Sequence, residues 1–261
     1  MATDFIPVER QQRILDVVDD RGVVRVTELS KLFGVSEITI RRDLIALESE
    51  GLLTRSHGGA ISPRHFQREP HYSQKGERNL QEKQAIGRTA AAMVESGETV
   101  LVNSGSSTLE FLRRLPNVEL RVVTSNAGAP EVLYEKAIEC IVVGGVYRAR
   151  SNSFVGGLAV LTLEQVYGAK AFIGVDGLAL EAGITTPHHQ EAEIARLMIR
   201  RTRGKVVVLA DSSKIGGISP FVTAPLSEVD VLVTDAGVTN EYRNALEEQG
   251  VHVVVADVDR D

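Results

Sequence analysis

Cysteine occurs once in this chain, as Cys140. A lone thiol excludes an internal disulfide, and its place in the apolar run "ECIVVGG" marks it as a small buried hydrophobe. No stretch approaches the roughly 18 consecutive apolar residues of a membrane-crossing helix. The start, "MATDFIPVER", lacks the basic-then-apolar order of a secretory signal. These three absences point to the cytoplasm and to no membrane partner. Basic charge is not in excess either: 29 Lys and Arg face 35 Asp and Glu, a net of −6. That excludes a generally basic nucleic-acid binder. Any DNA contact must be local and multiplied by self-association. Tryptophan is missing, and no fixed-period repeat or low-complexity tract is present.

What is there suits a folded chain. Hydrophobic residues make up 43% and charged residues 25% of 261 residues, enough for one large or two modest domains. Residues 1–62 read as three short helices and a hairpin. Residues 63–79 read as a polar linker with Pro63, Pro70 and Gly76, and residues 80–261 as a layered α/β domain.

In "RQQRILDVVDDRG", Ile14, Val17 and Val18 keep helical spacing and Gly22 is a stop. Thr27 is placed to cap "ELSKLF", Gly34 to turn the chain, and Ser36 to cap a third helix. There Ile40, Leu44 and Leu47 recur at i, i+4 and i+7. "LLTRSH", "GG" and "AIS" form a hairpin. The third helix turns Ile38, Thr39, Arg42 and Ala46 away from its apolar stripe, with Arg41 at the flank. A short face of that kind suits a DNA major groove. Arg can fork onto guanine or a phosphate, and an apolar group can meet a thymine methyl. Ser36 and the free N–H groups at the helix start can hold a phosphate. Alone, the helix equally suits the solvated side of a small bundle. Two helices joined by a glycine turn, with a hairpin directly after them, favour a winged helix-turn-helix.

One feature opposes strong binding by a single copy. Residues 1–60 hold eight Arg or Lys against ten Asp or Glu, and Glu37 and Asp43 lie on the third helix itself. At least two copies are therefore expected to act together on repeated half-sites, as a dimer or tetramer.

From residue 99 the pattern changes. "TVLV", "LRVVT", "ECIVV", "KAFIGV", "KVVVLA", "VDVLVT" and "VHVVVA" alternate with helical stretches, as parallel strands buried on both faces do. In "VLVNSGSSTLEFLRRL", Asn103, Gly105, Ser106, Ser107 and Thr108 stand between strand and helix and make an anion cradle. The loop has neither a Walker lysine nor GxGxxG spacing, and an ordinary capped turn is the alternative reading. Other candidates end other strands: Thr124 and Asn126, Gly145 and Arg148, Asp176, and Lys214. Ligands of open α/β sheets bind outside these strand ends. The set suits a sugar phosphate, with Lys214 or Arg148 for charge and Asp176 and Asn103 for hydroxyls. His188, His189 and Glu191 lack the i, i+4 spacing of a zinc helix, so neither metal nor cofactor is expected.

The strings "RQQRILDVV" and "VTELSKLFGVSEITIRRDLIALESEGLLTRSHGGA" resemble the DNA-binding domain of the DeoR family of bacterial transcriptional regulators, over nearly all of residues 8–60. "SGSST", "VVTSN", "VVGG", "SFVGGLA", "KAFIGVDGL", "GITT" and "VLADSSK" resemble that family's effector domain over roughly 80–256. The resemblance implies that Ser36, Thr39, Arg41 and Arg42 face DNA and that Arg55, His57 and Gly58 belong to the wing. It implies a Rossmann-like C-terminal domain similar to ribose-5-phosphate isomerase, sensing phosphorylated sugars. The family usually has Asp where this chain has Asn103, and often Lys near Ala195. The expected function is a repressor of carbohydrate genes that binds operator DNA and a phosphorylated sugar effector. The alternative is an isomerase-like enzyme with a fused DNA-binding domain. Catalysis is not expected, because Asp176 stands without an acid/base partner in "VDGLAL" and no Gly-rich lysine loop follows it.

Overall fold

The computed structural model describes residues 6–21, 23–56, 58–61 and 71–258. The chain divides into two units, Met1–Glu69 and Pro70–Asp261.

The N-terminal unit runs α1 (Pro7–Arg21), β1 (Val23–Arg25), α2 (Val26–Phe33), α3 (Glu37–Ser49), β2 (Thr54–Ser56) and β3 (Gly59–Ile61). Ile14, Val18, Leu29, Ile40, Leu44, Leu47 and Leu53 close one core. Gly34 ends α2 in the left-handed region at φ 65°, which only glycine adopts without cost. The Ser30 hydroxyl donates to the Val35 carbonyl at 2.6 Å and fixes that turn. Thr27 is not the cap of α2, contrary to the sequence reading. The helix starts at Val26, directly after β1, and the Val26 N–H donates instead to the Gly58 carbonyl of the wing at 2.8 Å. The wing is also larger than a hairpin. Its antiparallel order is β1-β3-β2. Gly59 allows the close approach, since a Cβ there would sit 2.1 Å from the Val24 carbonyl oxygen.

The C-terminal unit begins with α4 (Tyr72–Glu77) and α5 (Leu80–Ala91). There follow β4 (Thr99–Val102), α6 (Ser106–Arg114), β5 (Leu120–Thr124), α7 (Ala129–Leu133), β6 (Ile138–Val142), β7 (Val146–Arg148) and β8 (Ser153–Val155). Next come α8 (Gly157–Glu164), β9 (Lys170–Gly174), β10 (Gly177–Ala179), β11 (Gly183–Thr186) and α9 (His189–Arg200). The unit closes with β12 (Val206–Leu209), β13 (Phe221–Ala224), β14 (Val231–Asp235), α10 (Asn240–Glu248) and β15 (His252–Ala256). All seven apolar runs are strands of one parallel sheet, ordered β15-β14-β12-β9-β4-β5-β6. Neighbours along a strand face opposite cores: Leu101, Ile173 and Val208 on one side, Val100, Val102, Phe172 and Val207 on the other. Burial on both faces is why each run reads as continuously apolar. Phe111 of α6 stacks on Phe172 with ring centroids 4.2 Å apart. Cys140 is only half-buried, because β6 is an edge strand, and burial raises its thiol pKa.

Chain order leaves β4 at mid-sheet, moves outward through β5 and β6, then returns to β9 on β4's other side. A crevice for ligands opens at such a reversal, at the carboxyl ends of the strands. Asn103 closes the seam. Its Nδ2 donates to the Gly174 carbonyl at 2.8 Å, and its Oδ1 accepts from the Gly174 N–H at 2.7 Å.

Within the stretch read as linker over 63–79, Tyr72–Glu77 is helical and packs within the C-terminal unit, while 63–70 lie outside the described residues. Its polar side chains meet polar partners at the sheet edge, so its composition resembled that of a solvated connector.

Candidate functional site

Two surfaces gather the residues singled out above. In the N-terminal unit, Ser36 caps α3. Its hydroxyl accepts from the Thr39 N–H at 3.2 Å and lies 2.9 Å from the Thr39 hydroxyl. Arg42 is exposed beside Ile38, which is 71% exposed, and Thr39 is half-buried. Arg41 is exposed and reaches Glu37 at 3.5 Å, an i, i+4 surface pair that yields readily to a phosphate. Arg55 is engaged within the unit. Its Nε donates to Glu48 at 2.7 Å and its backbone N–H to the other oxygen at 2.8 Å, tying β2 to α3. Those bonds, the backbone one first, hold the Glu48 carboxyl below its usual pKa. Gly58 is exposed, and His57 lies outside the described residues.

Asp43 does not oppose DNA as its place on α3 suggested. It is buried at 4% exposure and accepts from Arg10 Nε at 2.6 Å, Arg10 Nη2 at 3.2 Å and Gln11 Nε2 at 3.2 Å. The carboxylate faces α1, neutralised there, and leaves the outer face to Arg42.

At the sheet's carboxyl edge the predicted residues fall into three groups. In the first, polar atoms are used within the edge. The Thr108 hydroxyl donates to the Asn103 carbonyl at 2.9 Å. The Thr124 hydroxyl donates to the Val102 carbonyl at 2.7 Å and accepts from the Asn126 N–H at 3.0 Å. Asn126 Nδ2 donates to the Gly105 carbonyl at 3.1 Å. With Asn103 these residues shape the turn, while Gly105, Ser106 and Ser107 stay half-buried at the start of α6. In the second group, Arg148 donates to Glu191 at 3.1 Å and to Ser151 at 3.0 Å, and Ser153 donates to Glu191 at 3.1 Å. Gly145 is exposed nearby in sequence. Glu191 is thus occupied, and no group of three His, Cys, Asp or Glu suited to a metal occurs among the described residues. Ala195 is buried in the core.

The third group holds Asp176 and the Asp211–Lys214 stretch, and it brings in Lys75, Asn79, Lys83 and Thr186, which the sequence reading missed. Lys75 of α4 donates to Asp176 at 2.6 Å, and Thr186 donates to the other oxygen at 3.2 Å. Asn79 donates to Asp211 at 2.8 Å. Asp211 also accepts from the Ser213 N–H at 3.1 Å and from its hydroxyl. The buried Lys83 ammonium donates to the Lys75 and Arg78 carbonyls. Lys75, Asn79 and Lys83 recur every fourth residue, the one sequence signal for this strap. Burial alone would raise the Asp176 carboxyl, but Lys75 and then Lys214 outweigh it and hold it below its usual value. Burial works the same way on Asp211, where Lys214, Ser213, Lys83 and Asn79 prevail. Burial pushes Lys83 down to about 8, with Asp211 opposing and Lys214 and Lys75 assisting.

Asp176 is therefore not a lone carboxylate, and a glycine-bearing lysine loop does lie beside it. A Cβ on Gly177 would sit 2.5 Å from the Gly217 carbonyl oxygen, in the loop that carries Lys214. At the strap's start the Tyr72 N–H donates to the Arg150 carbonyl at 2.9 Å, and burial raises the pKa of its hydroxyl although Asn152 and Asn126 oppose the rise.

Residues 10–66 match the family model of the DeoR-like helix-turn-helix domain, and residues 78–236 that of the DeoR C terminal sensor domain. The HTH-type transcriptional regulator GlpR of Haloferax volcanii is 37% identical over 251 residues, covering 96% of this chain and 98% of its own. The HTH-type transcriptional repressor GlcR of Bacillus subtilis is 32% identical over 252 residues, covering 96% and 97%. Among solved structures, ribose 5-phosphate isomerase A of Methanocaldococcus jannaschii is similar with a TM-score of 0.38 and 16% identity, over 51% of this chain and 53% of that one. Matched in both units and along nearly its whole length, the chain belongs to the DeoR family: it is a DNA-binding transcriptional regulator that joins a helix-turn-helix to a sensor domain.

Proposed function

We propose that this protein represses carbohydrate-metabolism genes and that a phosphorylated sugar or sugar derivative controls it. The observation that carries the reading is the sheet edge, where ionised Asp176 and Asp211 are grouped with Lys75, Lys83 and Lys214. Carboxylates accept from sugar hydroxyls and ammonium groups take a phosphate, so one edge serves both ends of such a ligand. Full-length relatives named as repressors support the sense of regulation. The reading keeps a DNA-binding domain over 1–62 and a sensor over 80–261, with 63–79 between them. It places the protein in the cytoplasm with the operator.

Thermal unfolding tests it against triose, pentose and hexose phosphates, each beside its unphosphorylated parent. A ligand bound only by the folded state stabilises it by about 2.7 kcal/mol at 100 times its Kd. One phosphate should raise the midpoint while its parent sugar does not. If none does, sugar-phosphate sensing is wrong.

Catalysis is not part of this reading. A general acid or base works best with a pKa near the working pH; both carboxylates are held low, and Lys83, at about 8, is spent on the Lys75 and Arg78 carbonyls. Turnover of ribose 5-phosphate that disappears in Asp176→Asn would restore the isomerase alternative.

On DNA, Ser36, Thr39, Arg41 and Arg42 are the proposed contacts of α3, with Gly58 and His57 in the wing and Arg55 mainly bracing it. Arg42→Ala should weaken operator binding by about 1–3 kcal/mol and relax one base preference if Arg42 reads a base. If it meets a phosphate instead, the loss is uniform across sequences and the salt slope falls by about 1. Affinity unchanged in a gel-shift titration would remove Arg42 from the interface. Two or more copies acting together supply the affinity that one acidic chain lacks. Tight binding by a 1–65 fragment alone would contradict that.

A further inference from the structure

We propose that the strap Tyr72–Asn79 is half of the ligand site, and that ligand enters by exchange: its phosphate takes Lys75 while a neighbouring hydroxyl takes Asp176. The inference rests on the sugar-phosphate reading and adds the residues, the ligand requirement and the route to regulation.

Lys75 and Asp176 pair at 2.6 Å, and their side chains are 15% and 19% exposed. The pair fills the edge at the strand reversal, where an open α/β sheet takes its ligands. A ligand that takes only one partner removes the other's ion pair, and breaking such a pair from one side is costly. An unphosphorylated sugar could donate to Asp176 but brings no anion to Lys75. Inorganic phosphate could take Lys75 but leaves Asp176 to Thr186 and the charge of Lys214. A compound with a hydroxyl a few bonds from a phosphate monoester replaces both at once. The exchange therefore selects phosphorylated polyhydroxy compounds over either fragment.

The strap is held so that such an exchange is felt along it. Asn79, four residues beyond Lys75 and past the end of α4, sits on Asp211 at 2.8 Å, and Lys83 ties the carbonyls of Lys75 and Arg78. Moving Lys75 draws on both anchors. Residues 67–77, which hold Lys75, fall outside both family-model matches, and they lie in the stretch through which the chain reaches the DNA-binding unit. Occupancy of the sheet edge is thus registered on the strap, which opens the C-terminal unit.

The test uses the full chain with the same sugar-phosphate panel, the parent sugars and inorganic phosphate. Lys75→Gln should bind the stabilising sugar phosphate roughly tenfold or more weakly, the loss of one charge-assisted bond, and Lys75→Arg should retain part of the affinity. Hydrogen exchange of the amides of residues 72–79 should change when that ligand is added. If the wild type responds but Lys75→Gln binds equally well, and those amides do not change, the strap is a brace only and the sensor reading survives. If the wild type responds to nothing, the reading and the proposal fall together. Should Lys75→Gln not fold, the double variant Lys75→Gln with Asp176→Asn removes both charges, and full ligand affinity in that variant overturns the exchange.

Discussion

Replacing Asp43 by alanine should cost the N-terminal unit about 3–5 kcal/mol, the penalty for breaking a buried ion pair from one side. The Arg10 guanidinium, 9% exposed, would be left inside with its main acceptor gone. A unit of this size has little to spare, and each kcal/mol moves its midpoint by about 4–8 °C. Thermal unfolding of the full chain by circular dichroism should show an early transition for this unit, with the sensor's unchanged. Sequence-specific DNA binding should disappear with it. The pair joins α1 to α3 and fixes the roll that turns Arg42 outward, so the loss is one of geometry before chemistry. Arg10→Met with Asp43→Leu removes both charges, and such replacements are often neutral or stabilising. That double variant should fold again. An Asp43→Ala protein that melts with the wild type would show that the pair does not hold α3.

The fold was legible wherever one local pattern decided it. Seven β-branched runs made seven strands because both faces of the sheet are buried, and Ser36 made a cap because its hydroxyl meets an N–H three residues on. Short strands were not legible. β1, β10 and β11 have three or four residues each, too few for a period to declare itself. Long-range polar pairs were hidden for another reason. Lys75 and Asp176 are 101 residues apart, and Asn79 and Asp211 are 132 apart. Nothing local separates such residues from solvated ones, so the strap read as linker, Asp176 as solitary and Asp43 as a charge facing DNA. In "DSSK" the pattern gives Lys214 a role and Asp211 none, although at 1% exposure Asp211 is the more buried of the two.

Asp211→Ala is expected to be the most damaging single change at the sheet edge. It removes the acceptor of Asn79 and of the Ser213 N–H and hydroxyl, and takes the counter-charge from Lys83 and Lys214. Asn79 and Ser213 are exposed and can turn to water, so the cost comes from the lost bonds to a charged acceptor and from the uncompensated charge of buried Lys83, together about 2–4 kcal/mol. For a unit of nearly 200 residues each kcal/mol is about 2–4 °C in midpoint. The pH profile carries a sharper signature. The folded Asp176 and Asp211 titrate below the ordinary carboxylate range, so their stabilisation is in place above that range. It is lost only as pH falls through the lower folded values. Lys83 is also depressed, to about 8. Its contribution is therefore greatest above the ordinary lysine range and is lost as pH falls from there through about 8, where the folded state must bury the added charge. Subtracting the profile of Lys83→Met from the wild type isolates that term as a rise beginning near pH 8. In Asp211→Ala the strongest force holding the Lys83 proton is gone, so the rise should begin at lower pH while acid stability weakens. A variant with the wild-type midpoint at pH 7 and an unshifted alkaline rise would mean that Asp211 and Lys83 do not share this edge in solution, and the strap would lose its second anchor.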